Sequence, residues 1–132
     1  MTAPSKVAVV TGAARGIGRR AAEALADAGY DLALTDVRDC AETAAAVGDR
    51  GRAALDVAGD VSAEADVAAL VQRVSERFGR ADVLVNNAGI SLIAPADETA
   101  ADQWRRVLEV NLTGPFLPVS YTHLTLPTNR EV

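Results

Sequence analysis

A glycine-rich segment near the start of the chain has the composition of an anion-binding turn. The segment, Thr11-Gly-Ala-Ala-Arg-Gly-Ile-Gly18, lies between the apolar run Lys6–Val10 and a helical pattern. Glycines there let the backbone approach a pyrophosphate and let the helix pack closely on the preceding strand. The free N–H groups and the positive dipole end of the helix then face the anion. Because it follows a buried strand, the segment predicts a phosphate-binding loop rather than only a tight turn.

A carboxylate follows the second apolar run, eighteen residues beyond the last glycine of this turn. Asp36 stands at the end of Asp31–Thr35, which is predicted to be a second short strand. A carboxylate at that position accepts hydrogen bonds from adenosine ribose hydroxyls and repels a 2′-phosphate. The alternative is a loop aspartate that caps the following turn. In the first role Asp36 favours NAD over NADP, and the nearby cations Arg15 and Arg38 weaken that preference.

Two further motifs follow later apolar runs. The pair Asp60-Val61 comes after the third run, and Asn86-Asn-Ala-Gly89 follows Val-Leu-Val. On its own the second motif also suits a plain strand-end turn. In this order, and with the spacing Thr-Gly-x-x-x-Gly-x-Gly, the motifs resemble those of the short-chain dehydrogenase/reductase family. The resemblance covers residues 6 to 117 and is greatest to 3-oxoacyl-carrier-protein reductases and small-alcohol dehydrogenases.

The resemblance implies a cofactor role for each motif. The glycine loop would hold the pyrophosphate of NAD, and Asp36 the adenosine ribose. The Asp60-Val61 pair would hold the adenine, and the Asn-Asn-Ala-Gly motif would lie beside the inner ribose. The residues expected to bind the cofactor are Gly12, Arg15, Gly16, Ile17, Gly18, Asp36, Asp60, Val61, Asn87, Ala88 and Gly89.

Only some of the catalytic residues of the family that this chain resembles have a match in the sequence. In that family a tyrosine protonates the substrate oxygen, and a lysine four residues later lowers the tyrosine pKa. A serine orients the carbonyl, and an asparagine, matched here by Asn111, supports a water relay. The only lysine is Lys6, and neither Tyr30 nor Tyr121 has a lysine four residues on. We therefore expect the chain to be a truncated and inactive part of such an enzyme.

Short apolar runs alternate with alanine-rich helical patterns along the chain. This alternation predicts right-handed crossovers and an α/β, Rossmann-type doubly wound parallel sheet, whose strand order begins 3-2-1-4. One helix is predicted to begin at Ser62 and end at Gly79, with Val67, Leu70, Val71 and Val74 on its apolar face. The first helix is predicted to end at Gly29, with its periodic apolar positions at Ile17, Ala21, Ala24, Leu25 and Ala28. A later helix is predicted to open with a capping box from Thr99 to Asp102 and to carry Trp104, Val107, Leu108 and Leu112.

The bulk composition narrows the class of protein. The 132 residues allow one domain, and the formal net charge of −5 argues against a nucleic-acid partner. The single cysteine, Cys40, excludes an internal disulfide and is expected to be a small packed side chain. No secretory signal is predicted, because the start of the chain has no apolar stretch beyond Val7–Val10. The uncharged run 111–129 is not predicted to be a membrane helix, because it contains three prolines. We expect a cytoplasmic protein with a small alcohol or ketone as substrate, and a homo-oligomeric parent enzyme.

The last fifteen residues differ in composition from the rest. The first 117 residues contain 27 alanines, whereas residues 118–132 contain none and include the only histidine, His123. Pro118 is expected to interrupt the preceding helix, which predicts an extended, poorly packed tail. The segment also looks like the in-frame translation of a sequencing adapter. We therefore divide the chain into a dinucleotide-binding portion, 1–117, and a non-native tail, 118–132.

Two other functions stay open at this stage. The first is a non-catalytic dinucleotide-binding module, in which the missing tyrosine and lysine are a true property of the protein. The second is a methyltransferase, which also combines a glycine loop with an acid after the second strand. The Asn86–Gly89 motif and Asn111 count against the methyltransferase.

Overall fold

The structure, a computed structural model, describes residues 4–89 and 95–125. Its strands form one parallel sheet with the order β3-β2-β1-β4, so the predicted α/β fold and strand order are confirmed. The strands are β1 Val7–Thr11, β2 Asp31–Asp36, β3 Ala54–Ala58 and β4 Val83–Val85. The α-helices are α1 Gly16–Asp27, α2 Ala41–Asp49, α3 Glu64–Phe78, α4 Ala101–Leu108 and α5 Gly114–Thr125. A 3₁₀ turn, Ala96–Glu98, precedes α4, and a π-helical turn, Glu109–Thr113, joins α4 to α5.

The sheet separates two hydrophobic cores, one on each face, and residues of β1 contribute to both. Val9 pairs with Ala33 and Leu84 across the sheet, and all three pack in the core beneath α3. Their neighbours in sequence, such as Val10 and Leu34, point to the other face and pack with residues of α1 and α2. This alternation is the two-residue period of a strand that is buried on both faces. Among the described residues, no helix is long and apolar enough to cross a membrane.

Helix α3 agrees with the sequence pattern except at its start. Its buried residues are the four that the periodicity predicts, and Gly79 ends it with a left-handed φ of 72°. The prediction that Ser62 caps this helix is wrong, since the N-cap is Ala63 and makes no side-chain cap hydrogen bond. The Ser62 hydroxyl instead donates to the Asp60 carboxylate at 2.6 Å.

Helix α1 buries a different face from the one predicted. Its buried residues are Gly18, Ala22, Glu23 and Ala26, whereas Ile17 is 80% exposed. The helix passes so close to the glycine loop that only a residue without a side chain fits at Gly18. This close approach sets the helix rotation, and the larger apolar side chain of Ile17 turns outward. The helix ends at Asp27, and Gly29 follows with φ 96°.

The start of α4 also differs from the predicted capping box. The N-cap is Ala100, whose N–H donates to Gln103 Oε1 at 3.0 Å. The Thr99 hydroxyl turns back and donates to the Pro95 carbonyl at 3.0 Å, so it does not cap the helix. Helix α4 is interrupted by the π-helical turn, and Trp104 and Leu112 are exposed.

The prediction that the chain is extended after Pro118 is wrong for the part that the structure describes. Helix α5 continues through Pro118 to Thr125, and residues 126–132 lie outside the described residues. Pro118 is fully buried, and Leu117 and Val119 pack against the core beneath α3. This burial offsets the hydrogen bond that a proline cannot donate within a helix.

Candidate cofactor-binding site

The glycine loop between β1 and α1 is built around two close backbone approaches. Gly12 has a φ of 64°, and a Cβ atom there would lie 2.9 Å from the Ala88 Cα. A Cβ on Gly18 would lie 2.1 Å from the Gly12 carbonyl oxygen. Gly16 has a φ of 60°, and a Cβ atom there would lie in open space. Glycine is therefore favoured at this position only because of its left-handed backbone conformation. Glycine is thus needed at each position for a reason visible in the fold.

Thr11 joins the glycine loop to the segment after β4. Its buried hydroxyl accepts hydrogen bonds from the N–H groups of Asn87 and Ala88, both at 3.0 Å. The Asn87 side-chain amide in turn donates to the Gly12 carbonyl at 3.1 Å. The two loops therefore hold each other in place. The sequence placed Thr11 in the motif but did not predict this anchoring role.

Asp36, at the end of β2, forms a hydrogen bond with the backbone of the glycine loop. One carboxylate oxygen accepts the Ala14 N–H at 3.0 Å, and the other accepts the Arg38 N–H at 3.1 Å. The side chain also lines the cleft described below, so turn capping and cleft lining occur together. Thr43 of α2 completes the support, because its buried hydroxyl donates to the Ala13 carbonyl at 2.7 Å.

Asp60 lies in the loop between β3 and α3, and both of its carboxylate oxygens accept hydrogen bonds. One carboxylate oxygen accepts both the N–H and the hydroxyl of Ser62, at 2.9 and 2.6 Å. The other accepts an Arg106 N–H at 2.8 Å. Partial burial acts to raise the pKa of Asp60, but the hydrogen bonds from Ser62 and Arg106 outweigh it and hold the pKa below its usual range. Asp60 is therefore an ionised acceptor at neutral pH.

A cleft of about 330 Å³ opens where these loops meet, at the carboxyl ends of the strands. Most of the predicted cofactor residues line it, namely Gly12, Arg15, Gly16, Asp36, Asp60, Val61, Asn87, Ala88 and Gly89. Ile17 and Gly18 are not among the lining residues, since Ile17 points outward and Gly18 lies beneath Gly12. Asn111 is also not among the lining residues, but its side-chain oxygen lies near Gly89, 3.3 Å from the place that a Cβ on that residue would occupy.

Five further residues line the cleft without having been among the predicted site residues. They are Val37, Arg38, Gly59, Arg106 and Val110. The first three are neighbours of predicted residues and could have been inferred from sequence adjacency. Arg106 and Val110 come from α4 and the π-helical turn, and only the tertiary fold brings them to the cleft.

Cys40 lies behind this region and is fully buried. Burial, with added repulsion from the carboxylates of Asp56, Asp36 and Asp39, raises the pKa of Cys40 to about 12. The thiol is therefore protonated at neutral pH and is a poor nucleophile. Its packing role agrees with the sequence expectation.

The cleft has the features that a dinucleotide pyrophosphate requires. Within the described part of the chain, α1 starts with neither a side-chain cap nor an acidic residue in its first turn. Its N–H groups and positive dipole end are thus available to an anion. The cleft also lies at the point where the strand order reverses, between β1 and β4. The strand order, the glycine loop and the position of the cleft together define a doubly wound α/β protein of the Rossmann type.

Comparison with known proteins gives the family. The model of the short chain dehydrogenase family matches residues 6–128, and the chain therefore belongs to that family. A crystal structure assigned as a short-chain alcohol dehydrogenase from Sinorhizobium meliloti superposes with a TM-score of 0.87 at 34% identity. The superposition covers 93% of this chain and 50% of that one.

Two relatives illustrate the range of the matches. The cis-4-hydroxycyclohexanecarboxylate dehydrogenase of Sinomonas cyclohexanicum is 49% identical over 111 residues, covering 83% of this chain and 45% of the relative. The D-threitol dehydrogenase of Mycolicibacterium smegmatis is 46% identical, covering 85% of this chain and 44% of the relative. The chain thus spans about half the length of the curated relatives it matches. Members of the family use nicotinamide dinucleotide cofactors and act on small molecules.

Proposed function

We propose that this chain is the NAD-binding portion of an oxidoreductase that transfers hydride between NAD(H) and an alcohol or ketone. The observation that carries the proposal is the convergence of four separate loops on one cleft at the carboxyl edge of the sheet. When bound there, the nicotinamide of NAD(H) supplies the hydride acceptor or donor. Residues of this chain bind and orient NAD(H), and they select it over NADP(H).

The pyrophosphate would lie against the glycine loop, where Gly12 and Gly16 line the cleft without side chains and Gly18 lets α1 begin close beneath Gly12. The adenosine ribose would lie at Asp36, and the adenine between the Asp60 carboxylate and Val61. The inner ribose would lie along Asn87, Ala88 and Gly89. Support for this arrangement comes from the strand order β3-β2-β1-β4, which sets the loops that carry these residues in the same order as the groups of NAD.

Asp36 is proposed to select NAD over NADP. Each carboxylate oxygen accepts one backbone N–H and keeps further lone pairs for ribose hydroxyls. A 2′-phosphate would face the same negative charge, which costs about 1–3 kcal/mol, or roughly ten- to a hundredfold in affinity. Arg15 and Arg38 also line the cleft and act against this preference.

Titration of NADH and NADPH against the purified chain tests the selection. We expect wild type to bind NADH more tightly and Asp36→Asn to narrow the difference. Asn removes the charge yet keeps an acceptor for the Ala14 N–H, so a change in preference reports on charge and not on a collapsed loop. Equal affinity of wild type for both cofactors would remove the assignment.

Hydride transfer itself is proposed to require residues that this sequence does not supply. Asn111 lies beside Gly89, and no Tyr-x-x-x-Lys sequence occurs in the chain. We expect the chain to bind NADH without oxidising it in the presence of ketones. The named relatives act on hydroxylated compounds, which favours a small secondary alcohol as the substrate class of the whole enzyme. Turnover by the purified chain would contradict this proposal.

A non-catalytic dinucleotide-binding module is the second candidate, favoured by the same missing tyrosine and lysine. Both candidates predict NADH binding, and a methyltransferase predicts binding of S-adenosylmethionine instead. Parallel titrations with the two ligands therefore separate the enzyme family from the methyltransferase. The sequence of the source locus separates the first two candidates.

We propose that residues 1–117 form the cofactor-binding portion and that residues 118–132 derive from sequencing adapter. The alanine-free composition supports a foreign origin, whereas the family match, which runs to residue 128, counts against it. Amplifying and resequencing the locus decides: we expect a serine and a Tyr-x-x-x-Lys sequence downstream of Leu117. A locus that encodes the tail unchanged and then stops would favour the non-catalytic module. A homo-oligomeric, cytoplasmic parent enzyme is part of the same proposal.

A further inference from the structure

Arg106 connects two parts of the cleft that are far apart in sequence. It lies on α4, and its guanidinium donates to Ser62 Oγ at 2.7 Å and to Asp60 Oδ2 at 2.8 Å. It also lines the cleft beside Val110. The Arg106 side chain is 43% exposed and that of Asp60 is 27% exposed, so the pair is only partly screened by water.

The Arg106 contacts complete the hydrogen bonding of the loop that contains Asp60. Asp60 Oδ1 is occupied by Ser62, and the Asp60 N–H donates to the Asp66 carboxylate at 2.9 Å. Asp60 Oδ2 receives only the Arg106 guanidinium among the hydrogen bonds of the described residues. Without it, Asp60 and Ser62 would lose their tie to α4, and the carboxylate would lose its cationic partner.

The same contact places the helix that carries Asn111. Helix α4 continues into the π-helical turn Glu109–Thr113, which contains both Val110 and Asn111. Directly after this turn, Gly114 packs closely on the side chain of Val61: a Cβ on Gly114 would be 2.7 Å from Val61 Cγ2. The loop at residues 60–62 thus contacts this helical segment at two points, one ionic and one apolar.

We propose that Arg106 is a positioning residue for cofactor binding, which holds the Asp60–Ser62 loop in the conformation that receives the adenine and ties it to the helix bearing Asn111. This inference rests on the proposed function. An ionised Asp60 is the stronger acceptor for the exocyclic amine of adenine, and a fixed loop loses less conformational freedom on binding. Arg106 acts through Asp60 and is not required to touch the ligand itself.

Binding to the full chain by isothermal titration tests the proposal with two probes. ADP-ribose spans the glycine loop and the adenosine end, whereas inorganic pyrophosphate reaches the glycine loop alone. We expect Arg106→Met to weaken ADP-ribose binding roughly 3- to 10-fold, the range for a partly exposed ion pair, and to leave pyrophosphate binding unchanged. Arg106→Lys should lie between Met and wild type, since lysine keeps the charge but lacks the two-pronged geometry.

Arg105→Met is the matched control, because Arg105 is an exposed neighbour on the same helix and does not line the cleft. It removes the same charge and should bind both probes as wild type does. Equal ADP-ribose affinity in wild type and Arg106→Met would overturn the proposal. Equal weakening of both probes would also overturn it, because that pattern indicates general damage to the fold.

Hydrogen exchange provides a measurement that does not depend on any ligand. In Arg106→Met the amides of Asp60 and Ser62 should exchange several-fold faster than in Arg105→Met, while those of α3 are unchanged. Unchanged exchange at both amides would overturn the positioning role. If wild type binds neither probe, the proposed function fails, and the exchange result still decides whether Arg106 holds the loop.

Discussion

The sheet region, residues 4–89, and the helical segment, residues 95–125, differ in how far they bury large apolar side chains: most are buried in the first, whereas several are exposed in the second. In the sheet region Leu34 is fully buried, and each face of the sheet carries its own hydrophobic core. In the helical segment Leu112 is 67% exposed, and Trp104 and Phe116 are also largely exposed. These three side chains recur at intervals of four or eight residues along the segment, which gives it an apolar stripe.

This difference shows that an amphipathic pattern in the sequence does not by itself determine which apolar side chains are buried. A strand that pairs on both edges and carries helices on both faces buries its side chains whatever the rest of the chain does. A helix packed on one side buries only the stripe that faces its support. Helix α5 contacts the core beneath α3 through Leu117 and Val119, whereas Phe116 of the same helix is 64% exposed.

The largest expected effect compares the two leucines. Leu34→Ala should lower the free energy of unfolding by about 2–5 kcal/mol, because it leaves a cavity in a closed core. Leu112→Ala should change it by less than about 0.5 kcal/mol, because its side chain is mostly in water already. Urea unfolding followed by circular dichroism measures both. Similar losses for the two variants would show that the stripe is covered in solution, for example by a second copy of the chain.

Two glycines give an intermediate effect. Gly18→Ala should destabilise by about 1–3 kcal/mol, because the added Cβ meets the backbone oxygen of Gly12, which cannot move without opening the loop. Gly114→Ala meets only the side chain of Val61, and alanine favours the helix by about 1 kcal/mol, so its net cost should be smaller. Thermal unfolding of both variants checks the order. A larger loss for Gly114→Ala would mean that the contact between Val61 and α5 is the more rigid of the two.

The smallest expected effect is a pH dependence from Asp56 of β3. Burial, and then the neighbouring Asp39, raise the pKa of Asp56 above its usual value. The ionised form is therefore disfavoured in the folded state, and this penalty is present above the folded pKa and disappears as the pH falls through it. Asp56→Asn should thus stabilise the protein at pH 7 and make little difference near pH 3.

The exposed Asp97, in the 3₁₀ turn of the helical segment, is the matched control for this measurement. Asp97→Asn removes the same side-chain charge at an exposed site and should leave the stability at pH 7 within about 0.5 kcal/mol of wild type. A stabilisation by Asp56→Asn that is the same at both pH values would point to a packing change and not to ionisation.

Local pattern predicted most of the fold and the chemical character of the site. The buried face of α3 was predicted correctly because its long aliphatic side chains repeat clearly and its neighbours are polar. The face of α1 was not, because four of its twelve residues are alanine, which contrasts little with the other small residues of the helix. There the decisive contact is between Gly18 and Gly12, and a glycine contributes no hydrophobic signal.

The sequence by itself determined the order of elements, the parallel sheet, the glycine loop and the acid that follows β2. These features depend on neighbours within a few residues or on a chain-wide alternation, both of which are visible in one dimension. The tertiary structure alone decided which distant groups meet: Thr11 with Asn87, Thr43 with Ala13, and Arg106 with Asp60. A hydroxyl, a guanidinium or a carboxylate can bond to many partners. The pairing of β1 with β4, and the packing of α2 and α4 against the loops at the carboxyl edge of the sheet, select among them.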